Sequence, residues 1–243
     1  MSIKTTLLFL SVFLSANLFA QNCAAKEFKK LEPKELVSHF FKIDKFINDK
    51  YAFYTENNSL YAVEFNEIKY LYDKTQALVF FSNYLLDSDG HPETCHACSG
   101  FLSIAKFKKT GDFWKFSSFT KDCECGWGGW GETEIPQLVK IGNTYFLSHN
   151  HGFLGQGVYS GGTNYHEIND YKSVLSFYEK NNSGGNVTYS YTSKVKLEES
   201  NGKIKAIVTY EGTGFIEEKG EVENISRQEI YFYDKSKKEF IKK

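Results

Sequence analysis

The residue types that could carry out chemistry in this chain are concentrated between His91 and Gly157. This stretch holds four of the five cysteines, four of the six histidines and all three tryptophans. Cysteine and histidine are the usual ligands of zinc, cysteine also forms disulfides, and tryptophan supplies large contact areas to binding surfaces. We therefore expect the functional site in this stretch and a scaffold in the remainder.

Four cysteines form two close pairs, Cys95 with Cys98 and Cys123 with Cys125. A predicted hairpin, residues 101–119, separates the pairs, and antiparallel strands bring their outer ends together. In an exported chain the oxidising compartment favours two disulfides, and bridges across the hairpin are less strained than bridges within a pair. The connectivity itself stays open. The alternative is a structural zinc ion bound by all four thiolates.

Glycine surrounds two of the tryptophans in the run Gly126-Trp127-Gly128-Gly129-Trp130-Gly131. Glycine allows backbone conformations that other residues avoid, so the segment can either present or bury both indoles. We predict that Trp127 and Trp130 form an aromatic contact surface for a ligand or a protein. The alternative is structural, with the indoles closing one end of the core.

His149 and His151 stand two residues apart, which places both imidazoles on the same face if the segment is extended. With a nearby carboxylate, or with His91 or His96 brought in by the fold, they could bind zinc. The spacing fixes no third ligand, so we predict no metal and no cofactor. Zinc stays the alternative, at these histidines or at the four cysteines. We place His149, His151 and Gln156 in a loop that contributes to the binding surface.

One helix and a series of strands must position these residues. Pro33 opens the predicted helix, about residues 33–49, because apolar residues recur there at spacings of three and four and proline suits the first helical turn. From Ser59 onward the chain changes to short aromatic and β-branched segments, which favour strands. Gly142-Asn143 is the clearest hairpin turn. The predicted strands are residues 60–65, 68–72, 76–86, 101–107, 113–119, 138–141, 144–148, 173–179, 187–198, 204–211, 229–233 and 239–242.

The number and spacing of these strands indicate the fold class. Ten or so strands joined by turn residues, with one helix at the front, are typical of a mainly β, antiparallel protein. A barrel, a sandwich and a propeller-like array all fit, although the chain lacks the strict repeat that a propeller favours. We predict a single β-rich domain over residues 21–243, with the helix near its N-terminal end.

Residues 1–20 have the three-part shape of a secretory signal peptide. Lys4 precedes a short apolar run, and Ala20 is the small residue at the cleavage site. The run is too short for a transmembrane anchor, which needs about 20 apolar residues. We predict export to the bacterial periplasm or out of the cell, without a transmembrane anchor. Cys23 then lies close to the new N-terminus and is the unpaired fifth cysteine.

The net charge of the chain bears on which classes of molecule it can bind. The formal net charge is −1 at pH 7, and it becomes about −2 once Lys4 leaves with the signal peptide. This balance gives no general attraction to nucleic acid, so we predict no nucleic-acid partner. Arg227 is the only arginine, in a composition rich in lysine and asparagine that is typical of AT-rich bacterial genomes.

Three segments of the stretch together resemble a pattern in exported bacterial proteins of unknown function. These segments are Cys95-His96-Ala97-Cys98, Gly129-Trp130-Gly131 and Gly155-Gln156-Gly157. The resemblance covers residues 91–157, a bit over a quarter of the chain, and implies an exported bacterial β-rich protein without a particular activity. Cys123-Glu124-Cys125 departs from that pattern, so its role is specific to this chain.

Glycine-rich aromatic segments held by cysteines, without a recognisable catalytic set, indicate a non-enzymatic binding or inhibitor-like protein. Its partner would be an unidentified protein or a small-molecule ligand. A metal-dependent enzyme that uses the histidines of residues 91–151 is the first alternative. The second alternative is a purely structural cysteine cluster that stabilises the fold.

Overall fold

The computed structural model describes residues 26–93, 100–125, 133–155, 158–169, 171–182 and 187–243. Within these residues the protein is mainly β, with two antiparallel sheets and one helix, α1 (Pro33–Phe40), which confirms the predicted fold class. The seven strands of the first sheet are β1 (Glu27–Phe28), β2 (Ile43–Phe46), β3 (Tyr51–Glu56), β4 (Ser59–Leu71), β5 (Gln76–Leu85), β6 (Gly100–Thr110) and β7 (Phe113–Cys125).

The second sheet contains eight strands that pair in the order in which they follow along the chain. Its strands are β8 (Gln137–Ile141), β9 (Thr144–Gly155), β10 (Val158–Glu167), β11 (Ser173–Asn182), β12 (Tyr189–Ser200), β13 (Lys203–Ile216), β14 (Glu221–Asp234) and β15 (Glu239–Lys242). The predicted turn at Gly142-Asn143 joins β8 to β9. Gly142 has a φ of +56°, a value that glycine adopts without steric cost.

The described chain divides into two compact units, each with its own hydrophobic core. The first unit comprises the residues up to Gly90 together with Ser103–Lys121, and the second comprises His91–Leu102 together with Asp122–Lys243. That residues 21–243 form a single domain stays a prediction. Residues 1–20, which we predict to be a signal peptide, and Cys23 lie outside the described residues.

The core of the first unit lies between α1 and one face of the first sheet. Leu36, Val37 and Phe40 are buried on α1 at the helical spacing that the sequence predicts. Phe40 stacks on Phe119 of β7 with ring centroids 4.5 Å apart. The N-terminal helix therefore covers the sheet as part of this core.

The core of the second unit forms because its sheet curls on itself. β15 approaches β11, and β8 approaches β12. Phe146 of β9 consequently meets Tyr233 of β14 and Phe240 of β15, at centroid distances of 5.1 and 5.7 Å. Because side chains alternate along a strand, His149 and His151 lie on the face of β9 opposite to Phe146.

The helix ends earlier than the sequence pattern predicts. Phe41 is extended, with φ −126° and ψ 140°, so α1 stops at Phe40. Residues 43–46 form β2 and pair with β3, and Ile47 is 49% exposed instead of extending the apolar stripe. Pairing with a neighbouring strand outweighs the weak local preference for helix in this segment.

Two further predictions about strands are corrected. Residues 60–65 and 68–71 belong to one strand, β4, which carries an irregularity between Phe65 and Glu67, and Tyr72 lies in the turn that follows. The segment from His149 to Gly155, predicted as a loop, is the second half of β9. Its glycines suggested a turn, but pairing with β10 over the whole length keeps the segment extended.

Candidate functional site

His149 and His151 lie within β9 with their side chains on one face of the second sheet. The antiparallel register places His149 opposite Asn164 and His151 opposite Gly162 on β10. Side chains two residues apart on a strand point to the same face, and directly opposed residues share that face. The two imidazoles are therefore held at fixed positions by regular strand pairing.

The same register brings a third histidine to this face. His166, near the end of β10, pairs with Leu147 of β9 and lies on the same side as Asn164. The ring of His166 stacks on that of His149 with centroids 4.8 Å apart and planes 17° apart. Both side chains are buried, at 7% and 4% exposure.

Tyr171 lies in the segment that follows β10 and packs against His149 and His166. Its ring stacks on His166 at 4.1 Å with planes 5° apart, and its hydroxyl lies 3.0 Å from Nδ1 of His149. The backbone N–H of Tyr171 donates to the carbonyl of Glu167 at 3.1 Å. The turn therefore fixes the phenol ring against both imidazoles.

His151 makes a separate aromatic contact across three strands. Gly162 lies opposite both His151 on β9 and Tyr178 on β11. Because Gly162 has no side chain, the rings of His151 and Tyr178 meet above it, with centroids 5.1 Å apart and planes 22° apart. Tyr178 is 53% exposed. We call His149, His151, His166, Tyr171 and Tyr178 the histidine face.

Burial keeps the imidazoles of the histidine face uncharged near neutral pH. Burial first, and then the neighbouring His166 and His151, lower the pKa of His149 from 6.5 to about 4. Burial also lowers the pKa of His151. For His166 burial lowers the pKa most, against the opposing effect of its hydrogen bond to the Tyr171 carbonyl. At pH 7 the face is therefore aromatic and neutral.

The hydrogen bonds define which nitrogen of His166 carries the proton. Its Nδ1 lies 3.0 Å from the carbonyl oxygen of Tyr171, and a carbonyl can only accept, so Nδ1–H is the donor. The neutral ring then has a bare lone pair on Nε2. Within the described part of the chain, the buried Nε2 atoms of His166 and His151 have no hydrogen-bond partner. Both could accept a hydrogen bond from a ligand, or bind a cation, if a molecule reached them.

Several predicted site residues lie outside the described residues. These are Trp127, Trp130, Gln156, Cys95 and Cys98. The side chain of Cys125 is likewise outside the description, although its backbone ends β7. The predicted aromatic contact surface and the predicted disulfides therefore stay predictions.

Cys123 is the one predicted disulfide residue whose side chain the structure describes. It lies in β7, half-buried, as a free thiol. Burial first, and then the nearby carboxylate of Asp122, raise its pKa to about 11. The thiol is thus protonated at neutral pH and a weak nucleophile, since the thiolate is the reactive species.

A metal centre would need a third ligand beside two histidines. Among the residues that the structure describes, no group of three histidine, cysteine, aspartate or glutamate side chains is placed to hold a metal ion. His96 and the cysteines Cys95 and Cys98, which could complete such a group, lie outside the described residues. The zinc alternative therefore depends on residues beyond the histidine face.

Sequence reasoning found His149 and His151 but missed His166, Tyr171 and Tyr178. A signal for His166 was available: in a hairpin whose strands meet at Gly155 and Val158, opposed residues have numbers that sum to 313, so 147 meets 166. The contacts of Tyr171 and Tyr178 depend on the path of the following turn and on β11, which no local pattern specifies.

Comparisons with protein-family models, with curated proteins and with solved structures gave no match to this chain. Among the described residues, no helix has the length and apolar character needed to cross a membrane. The side chains of the histidine face and their neighbours are therefore the basis for a functional proposal.

Proposed function

We propose that this chain is an exported bacterial binding or inhibitor-like protein without catalytic activity, and that the histidine face is part of its recognition surface. Trp127, Trp130 and Gln156 would extend this surface, since Gln156 directly follows β9. Export rests on the signal-like residues 1–20. The partner would be a protein or a small molecule that offers a flat apolar surface and hydrogen-bond donors.

One observation carries this proposal: the stacked pair of His151 and Tyr178. Tyr178 is 53% exposed, and its ring is braced by an imidazole above Gly162. An aromatic ring held in one orientation loses little conformational entropy on binding, and tyrosine is enriched where partners dock. The neutral His151 carries no charge that would have to be desolvated in an interface.

The surrounding groups fit binding better than acid–base chemistry. A general base works best with a pKa near the working pH, whereas burial lowers the pKa of His149 to about 4. The Nδ1–H of His166 donates to the carbonyl oxygen of Tyr171, and the two rings stack on each other. These contacts hold the side chains of the histidine face in place, which favours binding over proton transfer.

Site-specific photocrosslinking in the producing bacterium tests the proposal. A benzophenone amino acid at Tyr178 should give a discrete covalent adduct that weakens in the His151→Ala variant and in the Trp127→Ala/Trp130→Ala variant. The matched control is the same probe at Tyr70, which is 43% exposed on the first sheet. Absence of an adduct at Tyr178, or the same adduct at Tyr70, would contradict this location of the surface.

The unpartnered Nε2 atoms of His151 and His166 favour a second candidate, a metal-dependent enzyme. Bare imidazole nitrogens are good zinc ligands, and the Nδ1–H of His166 is already oriented by a carbonyl, as in many metal sites. Elemental analysis of the purified mature chain separates the candidates. Stoichiometric zinc that His151→Ala and His166→Ala both abolish would support the enzyme, and metal-free protein would oppose it.

A further inference from the structure

A cavity of about 540 Å³ opens at the end of the β14–β15 hairpin, in the second unit. Its size lies within the usual range for small-molecule sites, about 300–1,000 Å³. No residue of the histidine face lines it. The lining residues are Lys203, Phe232, Tyr233, Asp234, Lys235, Ile241, Lys242 and Lys243.

The floor of this groove is apolar. Phe232 of β14 and Ile241 of β15 are directly paired, so their side chains lie side by side on one face of the sheet. Ile241 is 39% exposed and Phe232 is partly exposed. Both apolar side chains are open to water. An alkyl chain or a ring that covered them would remove apolar surface from water, and this burial would favour binding.

The lining of the groove carries more positive than negative charge, because four lysines face the single acidic side chain of Asp234. Lys203, Lys235 and Lys243 are exposed, and none of them forms an ion pair with any described residue. The ammonium of Lys243 lies 5.7 Å from the ring centre of Phe232, so positive charge adjoins the apolar floor directly. The groove therefore combines cationic and apolar surface within one concavity.

The other two charged residues of the lining already have partners. Lys242 binds the carboxylate of Glu229 at 2.7 Å. The carboxylate of Asp234 accepts hydrogen bonds from the backbone N–H and hydroxyl of Ser236, at 2.8 and 2.6 Å, and so caps the hairpin turn. Asp234 keeps its negative charge while it caps the turn, but it forms no ion pair with Lys203, Lys235 or Lys243, and these three ammonium groups outnumber it.

We propose that this groove binds an amphipathic anion, with its apolar body on Phe232 and Ile241 and its phosphate or carboxylate head between Lys203, Lys235 and Lys243. A small inorganic anion would leave the apolar floor uncovered, and a neutral amphiphile would leave the ammonium groups uncompensated. Lysine binds such heads as a point charge without the fixed geometry of arginine. The site is independent of the proposed recognition surface.

Isothermal titration of the mature chain with monomeric dodecyl phosphate tests the proposal. Inorganic phosphate and neutral dodecyl maltoside should each bind at least about tenfold more weakly, which corresponds to about 1.4 kcal/mol. The triple variant Lys203→Gln/Lys235→Gln/Lys243→Gln should lose at least about tenfold in affinity, and Ile241→Gln should weaken binding of dodecyl phosphate but not of inorganic phosphate.

The matched control changes the same net charge elsewhere. Lys30→Gln/Lys45→Gln/Lys194→Gln removes three exposed lysines outside the groove and should leave the affinity unchanged. Thermal unfolding of both triple variants checks that they fold. If Lys203→Gln/Lys235→Gln/Lys243→Gln does not fold, Lys235→Gln alone, in the exposed turn, must still weaken binding of dodecyl phosphate. Equal loss in both triples, equal binding of the maltoside, or binding to anionic phospholipid vesicles without binding of the monomeric phosphate would each overturn the proposal.

Discussion

At the scale of single residues, His149 occupies an environment that opposes protonation. Its ring is buried, stacks on His166 and lies within hydrogen-bond distance of the Tyr171 hydroxyl. Burial and the two neighbouring histidines lower its pKa to about 4, so protonation would place a poorly solvated positive charge beside two other bases. The histidine face therefore depends on neutral imidazoles.

We expect the free energy of unfolding to fall as the pH decreases from about 6.5 to about 4. In this window the unfolded chain protonates His149, whose ordinary pKa is 6.5, while the folded chain keeps it neutral, so the unfolded state binds more protons. The loss attributable to His149 is up to about 3 kcal/mol, from a shift of about 2.5 pH units. Urea unfolding at a series of pH values measures it.

The controls for this pH dependence are two histidine variants. His149→Gln removes the titration, so its stability should vary less with pH than that of the parent chain. His91→Gln, at an exposed position, should keep the slope of the parent. An unchanged slope in His149→Gln would show that His149 does not carry the effect.

Gly162 and Gly161 offer a matched pair for testing the contact between His151 and Tyr178. A Cβ on Gly162 would come 1.9 Å from the backbone carbonyl oxygen of Phe177, whereas a Cβ on Gly161 would meet the end of the Tyr159 side chain at 2.6 Å and the backbone carbonyl oxygen of His151 at 2.9 Å. Gly162→Ala should cost about 1–3 kcal/mol of unfolding free energy. Gly161→Ala should cost less, because its closest backbone contact is much longer and the end of the Tyr159 side chain can move.

Two measurements compare Gly162→Ala with Gly161→Ala: the free energy of unfolding and the contact between Tyr178 and His151. Chemical denaturation gives the difference in unfolding free energy, and the reactivity of Tyr178 towards tetranitromethane reports whether its ring still rests on His151. We expect a change in reactivity for Gly162→Ala alone. Equal stability of the two variants would contradict the close approach of Gly162 to β11.

At the scale of elements, regular strand pairing positions the three histidines of the histidine face. β9 and β10 stay in register from Phe146 opposite Glu167 to Gly155 opposite Val158, and this register alone gathers three histidines. The irregularity of β10 against β11 between Tyr165 and His166 marks where the chain leaves the sheet and returns with Tyr171. A strand irregularity next to a functional site commonly redirects side chains in this way.

The early end of α1 predicts a sharp contrast between two apolar residues. Leu36 is fully buried on the helix, whereas Ile47 lies beyond β2 and is 49% exposed. Leu36→Ala should cost about 2–5 kcal/mol of unfolding free energy, since it leaves a cavity in the first core. Ile47→Ala should change the unfolding free energy by less than about 0.5 kcal/mol.

Thermal or urea unfolding of the two variants provides the measurement. The far-ultraviolet circular dichroism of both variants should match that of the parent before unfolding begins. A cost for Ile47→Ala comparable to that of Leu36→Ala would support a helix over residues 33–49 instead.

At the scale of the whole molecule, each unit has a core of its own. The first core combines α1 with the first sheet, and the second lies inside the curl of the second sheet. Among the described residues, neither core contains a cysteine, and both cores bury several aromatic rings.

The mass of the intact protein under non-reducing conditions tests the predicted disulfides. Two disulfides lower the mass by four hydrogens and leave one thiol free, which we assign to Cys23. The half-buried Cys123, with a pKa of about 11, should react slowly with iodoacetamide if it is a free thiol and not at all if it is bridged. Five unbridged cysteines without metal would refute the disulfides, and five unbridged cysteines with bound zinc would support the four-cysteine site.

The sequence by itself determined the β-rich class, the start of the helix and most of the hairpins. These features depend on local periodicity and turn chemistry, which neighbouring residues encode. Only the tertiary structure decided that α1 ends at Phe40, that the segment after His149 is a strand, and that His166, Tyr171 and Tyr178 join the site. Each of these depends on pairing between distant segments, where backbone hydrogen bonds and aromatic packing outweigh local preference.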